Sequence, residues 1–395
     1  MQIIDGDGHT VEPPDLWVER MDQRRWGDWI PRSFHDDGLE TWYVGGVCRA
    51  GSKPVLEEVA SQYGMTAQQL EALLDSIRRP GGYDPAARLA DMDLEGMDAA
   101  VVYPTRALFF GPLDPIPALH DVAFVADCLR AYNDWAAEFC SAAPKRLFAI
   151  AGVPLQDVEL AVREAERAVG LGLRGVFLRP SPYVDERPLS DPVYDRFWAA
   201  CQDLDVPVAF HPGVHVDTPG ACRKFGLVHE HANMTITNML VDAQHGGSAF
   251  GQAIGNTCDM MVTVGRLLMG GVCERFPRLR FLFLESGGGW IGTLLQRMDE
   301  QVKAFPLEKR WLHLLPSEYF RRQCWIGFEP EEWNLAATAE YVGADRILWA
   351  SDYPHPDIEF PGAVRALRTS LAPLGEAEQR KIAGDNAVRA YRLPL

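Results

Sequence analysis

Several acidic and histidine residues stand where apolar runs stop, and their chemistry is that of metal binding and proton transfer. The run Ile3-Ile4-Asp5-Gly6-Asp7-Gly8-His9 places two carboxylates and an imidazole beyond Asp5's apolar lead-in. On a strand, Asp5, Asp7 and His9 share one face. That face reads as the first arm of a metal site, or as the polar side of a surface strand. Further along, Val206 to His211 ends in His211, before Pro212-Gly213. Leu279 to Glu285 ends in Glu285, before Ser286-Gly287-Gly288-Gly289. Cys324 to Glu329 ends in Glu329, and Arg346 to Asp352 in Asp352, before Tyr353-Pro354-His355. Any one of these suits a strand cap or a hydrogen-bonded histidine. Together, imidazole and carboxylate donors suit Zn²⁺, Mn²⁺ or Fe²⁺.

The elements that must carry these residues alternate regularly from Asp84 onward. Helical patterns are read near Pro85 to Leu94, Asp121 to Ser141, Val158 to Gly170, Pro192 to Leu204, Val262 to Phe276, after Trp290, and Glu331 to Val342. Two more, near Gly362 to Ser370 and Glu376 to Tyr391, close the chain. Eight apolar, β-rich runs lie between and before them. Strands alternating with helices pair in parallel, and eight such units close into an α/β fold of the (β/α)8, TIM-type barrel kind. A doubly wound open sheet is the other arrangement, but no G-x-G-x-x-G follows the first strand. In barrels the chemistry sits at the C-terminal strand ends, where the polar residues above fall. One barrel over residues 1–395 is expected, with long excursions at about 12–83 and 212–260. The first holds a helix near Thr66 to Ile77 and the tryptophans Trp26, Trp29 and Trp42, read as packing.

The chain has 395 residues, 47% hydrophobic and 24% charged, with a net charge of −17. That balance argues against nucleic acid and anionic membranes as partners, because both need basic patches. No apolar run has the length of a membrane span. Met1 leads directly into a strand-like run with no basic leader, and the eight cysteines are scattered without a C-x-x-C pair. Both features read as a cytoplasmic protein with reduced thiols.

The chain resembles the amidohydrolase superfamily. The branch is the amidohydrolase-related one that holds aminocarboxymuconate semialdehyde decarboxylase and similar decarboxylases and hydrolases. The resemblance rests on Asp7-Gly8-His9, on Val206 to Gly213, and on Gly270-Gly271-Val272-Cys273-Glu274-Arg275-Phe276-Pro277-Arg278-Leu279. It rests also on Trp349-Ala350-Ser351-Asp352-Tyr353-Pro354-His355 and on Ile382-Ala383-Gly384-Asp385-Asn386-Ala387. It implies one divalent metal, Zn²⁺ or Mn²⁺, held by Asp7, His9, His211 and Asp352, and a dimer. Two departures stand out. The commonest first-strand motif of the family is His-x-His, and Asp7-x-His9 is nearer the Glu-x-His of some decarboxylases. Many relatives carry His where this chain has Glu285.

These residues fit a non-oxidative decarboxylase of a small aromatic or unsaturated carboxylic acid, with Asp352 and then Glu285 as proton carriers. The alternative is a hydrolase of a C–N, C–O or C–C bond that uses a metal-activated water. A barrel that only binds a ligand is a third reading. His355 is placed beside Asp352 as an orienting residue. Arg88, Arg179 and Arg223 are candidates for a second substrate anion, each with a surface position as the plainer reading. His215, His229, His231 and His245 fall in the second excursion and read as substrate contacts or as ordered loop residues. Gly287 to Gly289 read as a tight turn rather than a phosphate cradle, since no Lys-Ser/Thr follows.

Overall fold

Short apolar strands buried on both faces pair in parallel under a cover of helices. The computed structural model describes residues 1–36, 39–48, 65–66, 68–69, 79–111, 116–180, 187–212, 251–305, 307, 310–355 and 359–395. Strand β1 is Ile4–His9. Strands β2 (Arg32–Asp36), β3 (Leu39–Val44) and β4 (Val47–Cys48) form an antiparallel sheet within the first excursion. Then come β5 (Ala99–Tyr103), β6 (Leu147–Ala149), β7 (Ala151–Gly152), β8 (Val176–Leu178) and β9 (Val208–Phe210). Strands β10 (Phe281–Phe283), β11 (Cys324–Phe328) and β12 (Ile347–Trp349) complete the set.

Strands β6 and β7 act as one strand interrupted at Ile150, because β6 pairs with β5 and β7 with β8. Parallel pairing runs β1-β5-β6 on one side and β7-β8-β9-β10-β11-β12 on the other. Backbone hydrogen bonds close the ring: Asp352 N–H donates to Asp7 O at 3.0 Å, and His9 N–H donates to Tyr353 O at 2.7 Å. The fold is a (β/α)8 barrel with its strands in sequence order. No helix among the described residues is long and apolar enough to cross a membrane.

The helix Pro85–Glu95 matters most for the site. Asp84 caps it by accepting from Ala86 N–H at 2.8 Å and Ala87 N–H at 3.3 Å, and Pro85 occupies its first turn. Gly96 ends it in the left-handed region at φ 78°. Its buried face carries Arg88 and Met92, one turn apart.

Some boundaries differ from expectation. The helix expected from Val262 begins at Thr257 and stops at Met269, and a short one follows at Val272–Arg275. Gly271, at φ 77°, makes the break. The basic loop before β11 contains a helix, Pro316–Gln323. The last helix is wound wide over Lys381–Asp385, where Gly384 lies against β1: a Cβ there would stand 2.9 Å from Gln2 O. The helix expected at Thr66 to Ile77 lies largely outside the described residues. Trp26 and Trp42 pack against the core, as expected.

The C-terminal end of the chain props the barrel from within. Tyr391 O–H donates to Gly6 O at 2.7 Å, and its oxygen stands 2.8 Å from that of Tyr103. Burial pushes both phenols well up, so both keep their protons. Tyr391→Phe leaves Gly6 O and the Tyr103 hydroxyl without this partner. Urea denaturation is expected to show a loss of about 1–3 kcal/mol.

Candidate metal centre

Two strand ends bring two imidazoles together. His9 ends β1, and its Nδ1–H donates to Pro104 O at 2.8 Å. His211 follows β9, and its Nδ1 lies 2.8 Å from Pro212 O and 3.1 Å from Glu285 Oε2. A carbonyl only accepts, so the proton of each neutral ring sits on Nδ1. Each Nε2 is then a bare lone pair, and the two Nε2 atoms face one another at 3.1 Å. Burial is the main reason that both rings lie below the ordinary imidazole range, and each also feels a neighbouring imidazole (His355 on His9, His9 on His211). Two facing lone pairs repel unless a cation lies between them.

Two carboxylates complete the arrangement. Asp7 Oδ1 is 3.9 Å from His9 Nε2 and 3.7 Å from His211 Nε2. That oxygen is buried and takes no hydrogen bond among the described residues. Burial first, then the charge of Asp352, pushes the Asp7 carboxyl well above the usual range. Asp352 Oδ1 stands 3.0 Å from His9 Nε2 and 2.9 Å from His355 Nδ1. Burial would raise Asp352, but the charge of His355 beside it outweighs burial and holds the carboxylate ionised. Asp7, His9 and His211 form one group of donors within 4.8 Å, and His9, Asp352 and His355 form another. Lone pairs, an orphaned buried oxygen and two close carboxylates are the donor set of a divalent cation. Four candidate donor atoms fit, two nitrogens and two oxygens.

The remaining strand-end residues surround this set. Asp5 turns away from it, because a register shift between Asp5 and Gly8 breaks the simple alternation of β1. Glu285 stands behind His211 rather than beside the other donors. Glu285 and Asp352 both adopt left-handed backbone, at φ 46° and 54°, which is uncommon for residues with side chains and clusters at functional sites. Glu329 is exposed. His355 stacks on His9 with ring centroids 4.0 Å apart. Its Nε2 lies 3.0 Å from Thr105 Oγ1, which already donates its proton to Thr10 O at 2.7 Å. Thr105 therefore accepts from Nε2–H, while Nδ1 faces the Asp352 carboxylate, so His355 carries a proton on each nitrogen.

Two of the three arginines depart from the surface reading. Arg88 and Arg179 are both buried. Arg88 Nη1–H donates to His9 O at 2.7 Å, and Arg179 lies 5.7 Å from the Phe109 ring centroid. Arg223 and the histidines at 215, 229, 231 and 245 lie outside the described residues.

Other site residues carried little or no signal. Glu12 is buried and accepts from the N–H groups of Thr105, Arg106 and Ala107 at 3.3, 2.8 and 2.9 Å. It fixes the loop whose Pro104 carbonyl orients His9. Glu332 accepts from Gly288 N–H at 3.0 and 3.1 Å, so a carboxylate already fills the glycine turn. Arg88, expected as an anion contact or a surface residue, instead binds His9 O from the helix face it shares with Met92. A cavity of about 450 Å³ opens beside the donors, lined among others by Gln252, Thr257, Glu285, Ser286, Glu329 and Asp352.

Comparison with known proteins gives the family and the fold. The amidohydrolase family profile matches residues 4–393. A gamma-resorcylate decarboxylase of Polaromonas sp. (strain JS666) is 27% identical over 295 residues, 70% of this chain and 80% of the relative. A 2-amino-3-carboxymuconate-6-semialdehyde decarboxylase of Dictyostelium discoideum is 21% identical over 385 residues, 97% of this chain and 90% of the relative. The crystal structure of an amidohydrolase from Mycobacterium avium subsp. paratuberculosis superposes with a TM-score of 0.73 at 24% identity, over 99% of both chains. A dihydroxybenzoic acid decarboxylase from Polaromonas sp. JS666, solved with bound manganese and the inhibitor 2-nitroresorcinol, gives 0.64 at 18% identity over 100% of this chain and 98% of that one.

Depressed imidazole pKa values give the metal-free protein a characteristic pH response. Free histidine titrates near 6.5, so below that pH the unfolded chain binds protons that folded His211 refuses. Stability of the metal-free protein is expected to fall between about pH 7 and 5. His211→Asn should flatten that fall, as read by thermal melts across the interval.

Proposed function

Because the chain belongs to the amidohydrolase family, we propose that it is a metal-dependent, non-oxidative decarboxylase of a hydroxylated aromatic acid. The observation that carries this reading is the pair of facing imidazole lone pairs, at 3.1 Å, with two carboxylate oxygens beside them. In this reading Asp7, His9, His211 and Asp352 hold the ion, Mn²⁺ or Zn²⁺. When bound, it would supply Lewis-acid charge for the oxygens of an acidic substrate.

The protein's own groups do the rest. The aromatic ring lies in the cavity beside Asp352, whose acceptor-rich lining suits phenolic O–H donors. His355 holds the proton at Nδ1, 2.9 Å from Asp352 Oδ1. Asp352 takes that proton and delivers it to the ring carbon bearing the carboxylate. The carbon–carbon bond then breaks, its electron pair restores the ring, and CO₂ leaves. Thr105 keeps His355 turned towards Asp352. Glu285 aligns His211, which replaces the proton-carrying role expected for it. The relatives support the reaction class: one acts on gamma-resorcylate, and one structure holds manganese with a nitroresorcinol. Scattered cysteines favour a cytoplasmic setting, and family resemblance favours a dimer.

Isotope labelling and two variants test this function. Turnover of ortho-hydroxybenzoates in D₂O should place deuterium on the carbon that lost CO₂. Oxygen-18 from labelled water in a product carboxylate would instead establish hydrolysis. His355→Asn is expected to lower kcat by about 10²–10⁴-fold with Mn²⁺ content retained, as for loss of a general acid. Asp352→Asn should lose both metal and turnover.

A further inference from the structure

Beneath the proposed metal ligands lies a buried charge pair that the reaction does not use. Asp5 is fully buried. Its Oδ1 accepts from Ser351 N–H at 2.9 Å and from Asp7 N–H at 3.1 Å. Its Oδ2 accepts from Ser351 Oγ–H at 2.6 Å, and Ser351 Oγ accepts in turn from Tyr353 N–H at 3.1 Å. One carboxylate thus grips the residues on either side of Asp352 and the backbone of Asp7.

Arg88 holds the same two segments from the helix side. Its Nη1 donates to His9 O at 2.7 Å and reaches Tyr353 O at 3.4 Å, and its guanidinium lies 4.6 Å from the Tyr353 ring centroid. Gly8 separates the two charges. A Cβ at Gly8 would stand 2.6 Å from Asp5 Oδ2 and 2.7 Å from Arg88 Nη2. No wider residue fits between them. Each charge is buried and attracted by the other, so removing one leaves the other uncompensated.

We propose that Asp5 and Arg88 are positioning residues, which set the left-handed turn at Ser351-Asp352-Tyr353 and so fix Asp352 relative to Asp7 and His9. The proposal rests on Asp352 being a ligand and proton carrier. Its φ of 54° has a cost, and this clamp is what the structure provides to hold it. Three hydrogen bonds to or through the Asp5 carboxylate stiffen the turn, and a fourth ties it to Asp7 N–H.

The test measures Mn²⁺ binding by paramagnetic resonance of free Mn²⁺, together with kcat and KM. Wild type, Asp5→Asn, Arg88→Lys, Ser351→Ala and Asp352→Asn proteins are compared. Asparagine keeps the shape of Asp5 and the acceptor for the Ser351 and Asp7 N–H groups, removes the charge, and turns the acceptor facing Ser351 Oγ into a donor. Asp5→Asn and Arg88→Lys should weaken Mn²⁺ binding about 10- to 100-fold, the usual effect of losing an outer partner of a metal ligand. Turnover at saturating Mn²⁺ should drop through kcat, with KM nearly unchanged. Ser351→Ala keeps both charges, folds most readily and should show a smaller effect of the same kind. A purely structural role would lower the melting temperature and leave Mn²⁺ affinity and kcat at wild-type values in the folded fraction. That result would overturn the proposal while leaving the decarboxylase reading intact. Wild-type Mn²⁺ binding in Asp352→Asn would remove the premise and overturn both.

Discussion

Two imidazole nitrogens that carry no proton are held face to face inside the barrel, 3.1 Å apart. That contact is unfavourable by itself, and the rest of the site exists to maintain it. Each ring is locked from behind by a carbonyl at 2.8 Å, so neither can turn its proton inward. The carbonyls belong to Pro104 and Pro212, each just beyond the end of a barrel strand. Stiff, fully buried strands do not relax to separate the rings. The barrel therefore stores an electrostatic demand that only positive charge satisfies, and that demand is what makes the mouth a metal centre.

The place where the barrel closes is also the place where the site is built. Regular ladders join the other neighbouring strands, but β12 meets β1 through the turn that follows it. Asp352 donates to Asp7 O, and Tyr353 O receives His9 N–H. The two bonds that shut the ring tie proposed ligands of one strand to the residues beside the other. Closing the fold and setting the distances between donors are one event. Asp5 and Arg88 lie under this seam, and Glu12 secures the neighbouring loop in a similar way.

The sequence was legible where period and chemistry coincide. Apolar runs that stop at His211, Glu285 and Asp352 mark strand ends because the inward side chain at the barrel mouth must be polar to meet solvent or a ligand. Asp7 and His9 were legible as a pair by strand alternation, although the register shift after Asp5 took Asp5 out of their group. Roles that depend on backbone partners were not legible. Glu12 binds three N–H groups of a loop more than ninety positions away, and no local pattern announces that. The orientation of Glu285 behind His211 depends on a left-handed φ that a non-glycine residue does not advertise. The last helix keeps its expected ends at Glu376 and Tyr391, but its wide winding where Gly384 meets Gln2 O by close approach was not legible.

Tyr391 and Gly6 are separated by 385 positions, yet one hydrogen bond joins them inside the barrel. This bears on the order of events at the ribosome. Strand β1 emerges first and must wait for the helix Asn386–Tyr391 to leave the exit tunnel. At roughly 5–20 residues per second, that interval is on the order of 20–80 s. Throughout it, the two acids and the one histidine of the nascent first strand stand without their barrel partners. The first arm of the proposed site is thus the earliest part made and among the last to gain its full support.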